Sequence, residues 1–156
     1  MQRKKASKHM LWVLAILWVA VVFLLSQQTA ADSGRLSSRL TEFVLRACPW
    51  IDLSAPALEP ILRKIAHGVM FAVEGFLLCI AAVRSCGGKT GVLLSAGISA
   101  VLAVGSELVQ TLADGRSCEL RDMGINFSGA LLGVAAGLLL MLFIDKLSRP
   151  RMTKHP

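Results

Sequence analysis

Apolar residues fall into four long blocks along the chain, and most charged residues lie in the gaps between them. The first block, Met10 to Leu25, has no charge, and later blocks run over residues 65–83, 90–113 and 123–144. Each is near the ~20 residues with which a helix crosses the ~30 Å hydrocarbon layer. The pattern predicts an all-α membrane protein, one domain over residues 1–156, with four transmembrane helices in an antiparallel bundle. We place the spans at about residues 10–26, 60–83, 90–113 and 122–144.

Composition supports this class of protein. Of the 156 residues, 54% are hydrophobic and only 17% are charged, whereas a soluble domain of this size covers its core with more charge. Soluble globular and disordered proteins are therefore excluded. The chain also lacks the short alternating segments of a membrane β-barrel, so helices are the expected spanning elements.

The basic residues predict the orientation in the membrane. Ten of the 17 Lys and Arg residues lie in the two tails and in the second connection, and seven lie on the other side. The positive-inside rule then places both termini in the cytoplasm of a multi-pass protein of the cell (cytoplasmic, or inner) membrane. The basic start, the first apolar run and Thr29-Ala30-Ala31 also resemble a cleavable signal peptide, whose removal would leave three spans in the same orientation.

The outer loop, residues 27–59, contains one amphipathic stretch. Apolar residues recur there at helical spacing after Ser33, a candidate N-cap, and Cys48-Pro49 ends the pattern; they are Leu36, Leu40, Phe43, Val44 and Ala47. Two interpretations stay open: a short helix in the outer headgroup region, or a solvated loop. Pro60 suits the first turn of the second span.

Four cysteines give little evidence of function. Cys48 and Cys118 would both be extracytoplasmic and could form a disulfide, and the alternative is that they are small free thiols. Because no cysteine has CxxC spacing or the company of other metal ligands, we expect no metal and no cofactor. We expect membrane lipid as a partner of the basic residues, and no nucleic acid.

Ionisable residues inside spans are the strongest functional candidates, because such groups are costly in lipid unless paired, protonated or hydrated. Glu74 falls near the middle of the second span, and Glu107 lies about one turn beyond the middle of the third. In the predicted topology, Glu107 belongs with polar residues that share the outer ends of their helices. This candidate site comprises Lys64, His67, Glu107, Gln110, Arg116, Asp122 and Asn126. The alternative is that these are independent residues that merely reach the headgroups.

Small residues predict the helix contacts. Gly129, Gly133 and Gly137 share one face of the fourth span with Asp122 and Asn126. A row of small residues in the third span leads to Glu107, and a short loop makes these two spans antiparallel neighbours. We therefore expect the two rows to pack against each other and to bring Glu107 and Gln110 to the depth of Asn126.

Several of these residues also carry a resemblance to the VanZ-like family of small bacterial membrane proteins. The matching motifs are Arg63-Lys64-x-Ala66-His67 with Phe71 and Gly75, Glu107-x-x-Gln110, Gly115-Arg116, and Asp122-x-x-x-Asn126-x-x-Gly129-x-x-x-Gly133. This chain has Ser106 where the family usually has Asp, and Phe71 where it often has Tyr. The family is named after a protein linked to teicoplanin resistance, so the resemblance implies an extracytoplasmic role in the cell envelope.

Three functional hypotheses follow. In the first, the polar site binds a lipid headgroup or a lipid-linked cell-wall precursor, with Lys64 and Arg116 on a phosphate and Glu107 orienting Arg116 or His67. In the second, the protein is a membrane enzyme with His67 and Glu107 as catalytic acid and base. In the third, it is a proton-coupled carrier with Glu74 as the titrating group; four spans without an internal repeat favour a homo-oligomer over a monomer for such a carrier.

Overall fold

The computed structural model describes residues 2–148 of the protein, with side chains over residues 8–147. Five helices and no strand occur in this range: α1 (Gln2–Ser26), α2 (Ala30–Ala47), α3 (Ala55–Cys86), α4 (Gly88–Gln110) and α5 (Leu120–Ser148). Arg149, Arg151 and Lys154, which contribute to the predicted orientation, lie outside the described residues.

Four of these helices are long and apolar enough to cross a membrane, which confirms the predicted fold class. The candidate spans are Lys8–Ser26, Ala55–Cys86, Gly88–Gln110 and Leu120–Leu147. The shortest has 19 residues, which corresponds to about 28 Å of helix. The third span ends at Gln110, and residues 111–113 form a turn instead of continuing the helix to residue 113.

The helix α3 is longer at its start than the sequence pattern predicts. It begins at Ala55 after the N-cap residue Ser54, so Pro56 occupies the first turn and Pro60 lies inside the helix. The prediction that Pro60 belongs to the first turn is therefore wrong. At 32 residues, α3 is about 48 Å long and exceeds the ~30 Å hydrocarbon layer.

The amphipathic stretch between α1 and α3 is an 18-residue helix, α2, so a solvated loop is excluded. Its N-cap is Thr29, whose hydroxyl accepts from the Asp32 backbone N–H at 3.2 Å, and not Ser33 as predicted. Ser33 lies in the first turn of the helix, where its side chain has another partner, described below. Thr41 is buried against the bundle, whereas Leu36, Leu40 and Phe43 are exposed.

The helix α3 contacts all four other helices, and its closest approach is to α5. A Cβ atom added to Gly129 would collide with the Gly68 carbonyl, and one added to Gly133 would collide with the Ala72 carbonyl. One added to Gly137 would lie 3.1 Å from Cys79 Cβ. The glycine row of α5 therefore packs on α3 and not on α4, contrary to our expectation. The reason is that α3 presents its own row of small residues, which lets the two backbones meet.

The row of small residues in α4 also faces α3. Ser99, in the middle of this row, is fully buried and donates to both carboxylate oxygens of Glu74, at 3.2 and 3.1 Å. The helices α4 and α5 do meet, and Glu107 and Asn126 lie at the same depth, as predicted.

A hydrogen bond from Trp18 links α1 to α3. The indole N–H of Trp18 donates to the Met70 carbonyl at 2.9 Å, beside a core that includes Val22 and Phe71. All four cysteines are free, so Cys48 and Cys118 form no disulfide in this structure.

Candidate functional site

The polar site is built around the Glu107 carboxylate, which is fully buried near the end of α4. Its Oε1 accepts from Gln110 Nε2 at 3.1 Å and from Asn126 Nδ2 at 3.3 Å. Its Oε2 accepts from the Glu119 backbone N–H at 3.4 Å. Gln110 reaches Glu107 because residues three apart share a helix face, and Asn126 reaches it because α5 runs back alongside α4. These contacts join α4, α5 and the loop between them.

Arg116 is held by two neutral oxygen atoms. Its Nη2 donates to Gln110 Oε1 at 2.6 Å, and its Nη1 donates to Ser33 Oγ at 3.0 Å. The side chain therefore connects the α4–α5 loop to α2. Within residues 8–147, Arg116 has no carboxylate within salt-bridge distance.

The backbone before Arg116 explains why glycine precedes it. Gly115 has φ +74°, in the left-handed region that favours glycine, and a Cβ there would lie 3.1 Å from Ala30 Cβ. The loop is also tied to α2 directly, since the Ala30 N–H donates to the Asp114 carbonyl at 3.1 Å. This turn directs the Arg116 side chain toward Gln110 and Ser33.

A cavity of about 140 Å³ lies beside Arg116, between α1, α2 and α3. Its walls are mainly apolar, with polar groups at the end where α2 lies. The lining residues are Val22, Leu25, Ser26, Gln28, Ser33, Leu36, Ser37, Leu40, Arg63, Ala66, His67, Met70, Phe71 and Arg116. This set, taken from the described part of the chain, contains two arginines and no acidic residue.

Arg63 is the second arginine of the cavity. Its Nη2 lies 3.5 Å from Glu59 Oε1 in an i,i+4 pair on α3, and its Nε is buried without a hydrogen-bond partner. Glu59 partly compensates the charge of Arg63, and Arg63 and Arg116 are the charged residues that line the cavity. Arg63 was not among the predicted site residues, although its position four residues before His67 places both on one face of α3.

His67 lines the cavity and is within electrostatic reach of Asp122, Arg116 and Arg63. It also lies next to Asn126, whose Oδ1 is buried and has no hydrogen-bond partner. Asp122 Oδ1 is similarly buried without a partner.

The structure brings five of the seven predicted site residues into one cluster, places Asp122 at its margin within electrostatic reach of His67 and Glu107, and separates Lys64. The cluster consists of His67, Glu107, Gln110, Arg116 and Asn126. Lys64 lies on another side of α3, in a crevice with Arg121 and in a second crevice with Asp122. Its displacement follows from the helix, since one residue turns the side chain by about 100° from the direction of Arg63.

The two residues of the enzyme hypothesis occupy different places. His67 lines the cavity, whereas Glu107 lies behind it with both carboxylate oxygens occupied by protein donors. Glu74, the residue of the carrier hypothesis, also does not line this cavity and contacts Ser99 instead. Among the described side chains, no group of three His, Cys, Asp or Glu residues is placed to hold a metal ion.

Sequence reasoning missed the contribution of α2 and of the turn that precedes it. Ser33 holds Arg116, and Gln28 and Ser37 line the cavity. No motif marks these residues, because their role depends on how α2 folds back onto α3. Together, the two arginines and these polar side chains give the mainly apolar cavity a cationic end that can form hydrogen bonds.

The family model of VanZ/LLP1 matches residues 11–143, which include all five helices in whole or in part and every residue of the cluster. No curated protein and no solved structure matches the chain. The matched range covers most of the sequence, so the chain belongs to the VanZ/LLP1 family.

Proposed function

We propose that this protein binds the phosphate-bearing headgroup of a membrane-anchored lipid in its extracytoplasmic half. The lipid is a phospholipid or a lipid-linked cell-wall precursor, and its binding affects the envelope and its susceptibility to teicoplanin. The observation that carries the proposal is the environment of Arg116. Two neutral oxygens hold its side chain beside the mainly apolar cavity, and no carboxylate pairs with it among the described residues.

Charge supports an anionic ligand. A guanidinium in a partly apolar site gains most from an anion that accepts its planar N–H groups, and phosphate suits that geometry. Gln110 and Ser33 fix the Arg116 side chain through neutral oxygens and leave it without a carboxylate in direct contact. Arg63 adds a second cation and a buried, unpartnered Nε. A phosphate at this end would meet both groups.

The apolar wall supports a lipid over a free anion. Met70 and Phe71 line the slot about 10 Å further along α3 than Arg63, and Val22 of α1 lies opposite them. Leu36 and Leu40 of α2 are partly exposed at its edge. A ligand with a charged head and a hydrocarbon chain would fill both parts of the slot, whereas inorganic phosphate would fill only one.

The extracytoplasmic assignment rests on the distribution of basic residues. If the basic tails and the α3–α4 connection face the cytoplasm, then α2 and the arginine end of the cavity face outward. Lipid-linked intermediates of the cell wall and the phospholipids of the outer leaflet are both present there. This position supports a role in the envelope.

Binding to the purified full-length protein in detergent tests the proposal. The probes are dioctanoyl phosphatidate, a polyprenyl monophosphate, dioctanoylglycerol as a neutral control, and inorganic phosphate. We expect one of the two phosphate lipids to bind. Arg116→Ala should weaken its binding by about tenfold to a hundredfold, because a hydrogen bond to a charged group contributes about 1.5–3 kcal/mol. Arg121→Ala, which removes a cation lining a different crevice, should bind like the wild type.

Each arm of this experiment has a defined meaning. Preference for phosphatidate assigns the site to phospholipid, and preference for the polyprenyl phosphate assigns it to a wall precursor. Equal binding of dioctanoylglycerol, or wild-type binding by Arg116→Ala, would overturn the proposal. In cells, expression of the wild type should shift teicoplanin susceptibility, and Arg116→Ala should abolish the shift at equal protein level.

A further inference from the structure

Glu107 determines which way two neighbouring amide side chains face. A carboxylate only accepts hydrogen bonds, and Oε1 of Glu107 takes the NH₂ groups of both Gln110 and Asn126. An amide carries its oxygen on the side opposite its NH₂ group. Both amide oxygens are therefore turned away from Glu107.

The two oxygens have different surroundings. Gln110 Oε1 accepts from Arg116 at 2.6 Å, the shortest side-chain contact of the cluster. Asn126 Oδ1 is buried without a hydrogen-bond partner and lies next to His67. One buried carboxylate is thus connected through Gln110 to Arg116, which lines the cavity.

We propose that Glu107 is a positioning residue that preforms the anion site by orienting Gln110, which in turn fixes Arg116. Without it, Gln110 can rotate and turn its NH₂ group toward Arg116, where two donors would face each other. Arg116 would then lose its fixed direction toward the cavity. Glu107 itself does not touch the ligand, and this inference rests on the proposed function.

A double-mutant cycle tests the proposal on the full-length protein, with the same phosphatidate and polyprenyl monophosphate probes. We expect Glu107→Leu to weaken binding of the preferred lipid about tenfold. In the Arg116→Ala background, Glu107→Leu should change binding less than about twofold, because the group it positions is absent. A merely structural role for Glu107 would give two effects that add.

Two further substitutions separate the effect of Glu107 on side-chain orientation from the effect of its charge. Glu107→Gln keeps one oxygen that can accept from both amides, so we expect it to retain binding within about threefold. Gln110→Met removes the bonds of Gln110 to Glu107 and to Arg116 but leaves the contact between Asn126 and Glu107, and it should weaken binding to the same extent as Glu107→Leu. The Gln110→Met variant also tests the positioning role of Glu107 if the Glu107→Leu variant does not fold.

Glu74 provides the matched control. It is also a carboxylate buried in a span, at 1% exposure, but its partner is Ser99 and it does not line the cavity. Glu74→Leu should leave lipid binding within about twofold of the wild type. If it lowers binding as much as Glu107→Leu, the effect is a general consequence of losing a buried carboxylate and the proposal is wrong.

The outcomes separate this inference from the proposed function. If Arg116→Ala weakens binding while Glu107→Leu and Gln110→Met do not, the lipid site stands and the positioning role falls. Additive effects in the cycle would also overturn the positioning role. If Arg116→Ala binds like the wild type, the proposed function itself is wrong.

Discussion

Asn126 Nδ2 lies 3.3 Å from Glu107 Oε1 and joins the beginning of α5 to the end of α4 in a fully buried contact. The pair closes the polar end of the bundle, because the same carboxylate also holds Gln110 and the Glu119 backbone. Asn126 has no exposed surface, so its role is to stabilise this end and not to meet solvent.

Replacing Asn126 should therefore destabilise the protein. Asn126→Ala removes a donor from a buried carboxylate, and we expect a cost of about 1–3 kcal/mol in the free energy of unfolding. Asn126→Asp should cost more, because it places a second carboxylate against Glu107. Thermal unfolding in detergent measures both, with Ser128→Ala on the exposed face of α5 as the control. An Asp variant more stable than the Ala variant would contradict the charge argument.

The close contact of α3 and α5 predicts strong sensitivity to one methyl group. Gly133→Ala adds a Cβ that collides with the Ala72 carbonyl, a backbone atom that cannot move aside without shifting the helix. We expect a loss of about 1–3 kcal/mol, typical of overpacking. Gly97→Ala is the matched control, since a Cβ there meets nothing within 4 Å. Its melting temperature should be equal to or above that of the wild type, because alanine favours helix over glycine.

Ser99 is the side chain that donates to Glu74 in the described structure. Ser99→Ala should leave that carboxylate buried without a donor, at a cost of about 1–3 kcal/mol. Ser95→Ala, in the same row of α4, removes only a bond to the Val92 carbonyl and should cost less. In the Glu74→Leu background, Ser99→Ala should have little further effect on the unfolding temperature. Equal costs in both backgrounds would show that Ser99 acts independently of Glu74.

Arg63 lines the cavity between α1, α2 and α3, whereas its neighbour Lys64 does not, although both residues line a third crevice with Glu59. We therefore expect Arg63→Ala to weaken binding of the phosphate lipid about tenfold or more, through loss of a charged donor. Lys64→Ala should leave it within about twofold. Equilibrium binding of both variants with the same lipid probe measures the difference. If Lys64→Ala gives the larger loss, the ligand lies between α3 and α5 and not in the cavity of α1, α2 and α3.

The sequence predicted the helices well because lipid imposes a simple requirement on them. The number of spans follows from apolar length, and the agreement at Ser26 follows from the polar residues that end the first block. The start of α3 was placed too late because Pro60 resembles a first-turn proline, whereas Pro56 already fills that position.

Which helix packs against which neighbour was harder to predict than the helices themselves. The glycines of α5 were recognised as packing residues, but the pattern of one helix does not identify which neighbour it meets, and α3 and α4 both carry small residues. The polar cluster was predicted because Glu107, Gln110 and Asn126 are costly in lipid. Arg63 and Ser33 were missed because each has an ordinary position, at the start of a span or in an interfacial helix, until the tertiary fold brings it to Arg116 or His67.

The connection of Arg116 to Ser33 has a consequence for how the protein is made. The walls of the cavity come from α1, α2 and α3, but the arginine that completes its charged end follows α4. During synthesis, a nascent chain that has already inserted its first three helices would hold an apolar slot without this arginine. The charged end of the cavity is complete only when the loop after α4 has been made and Arg116 folds back onto α2.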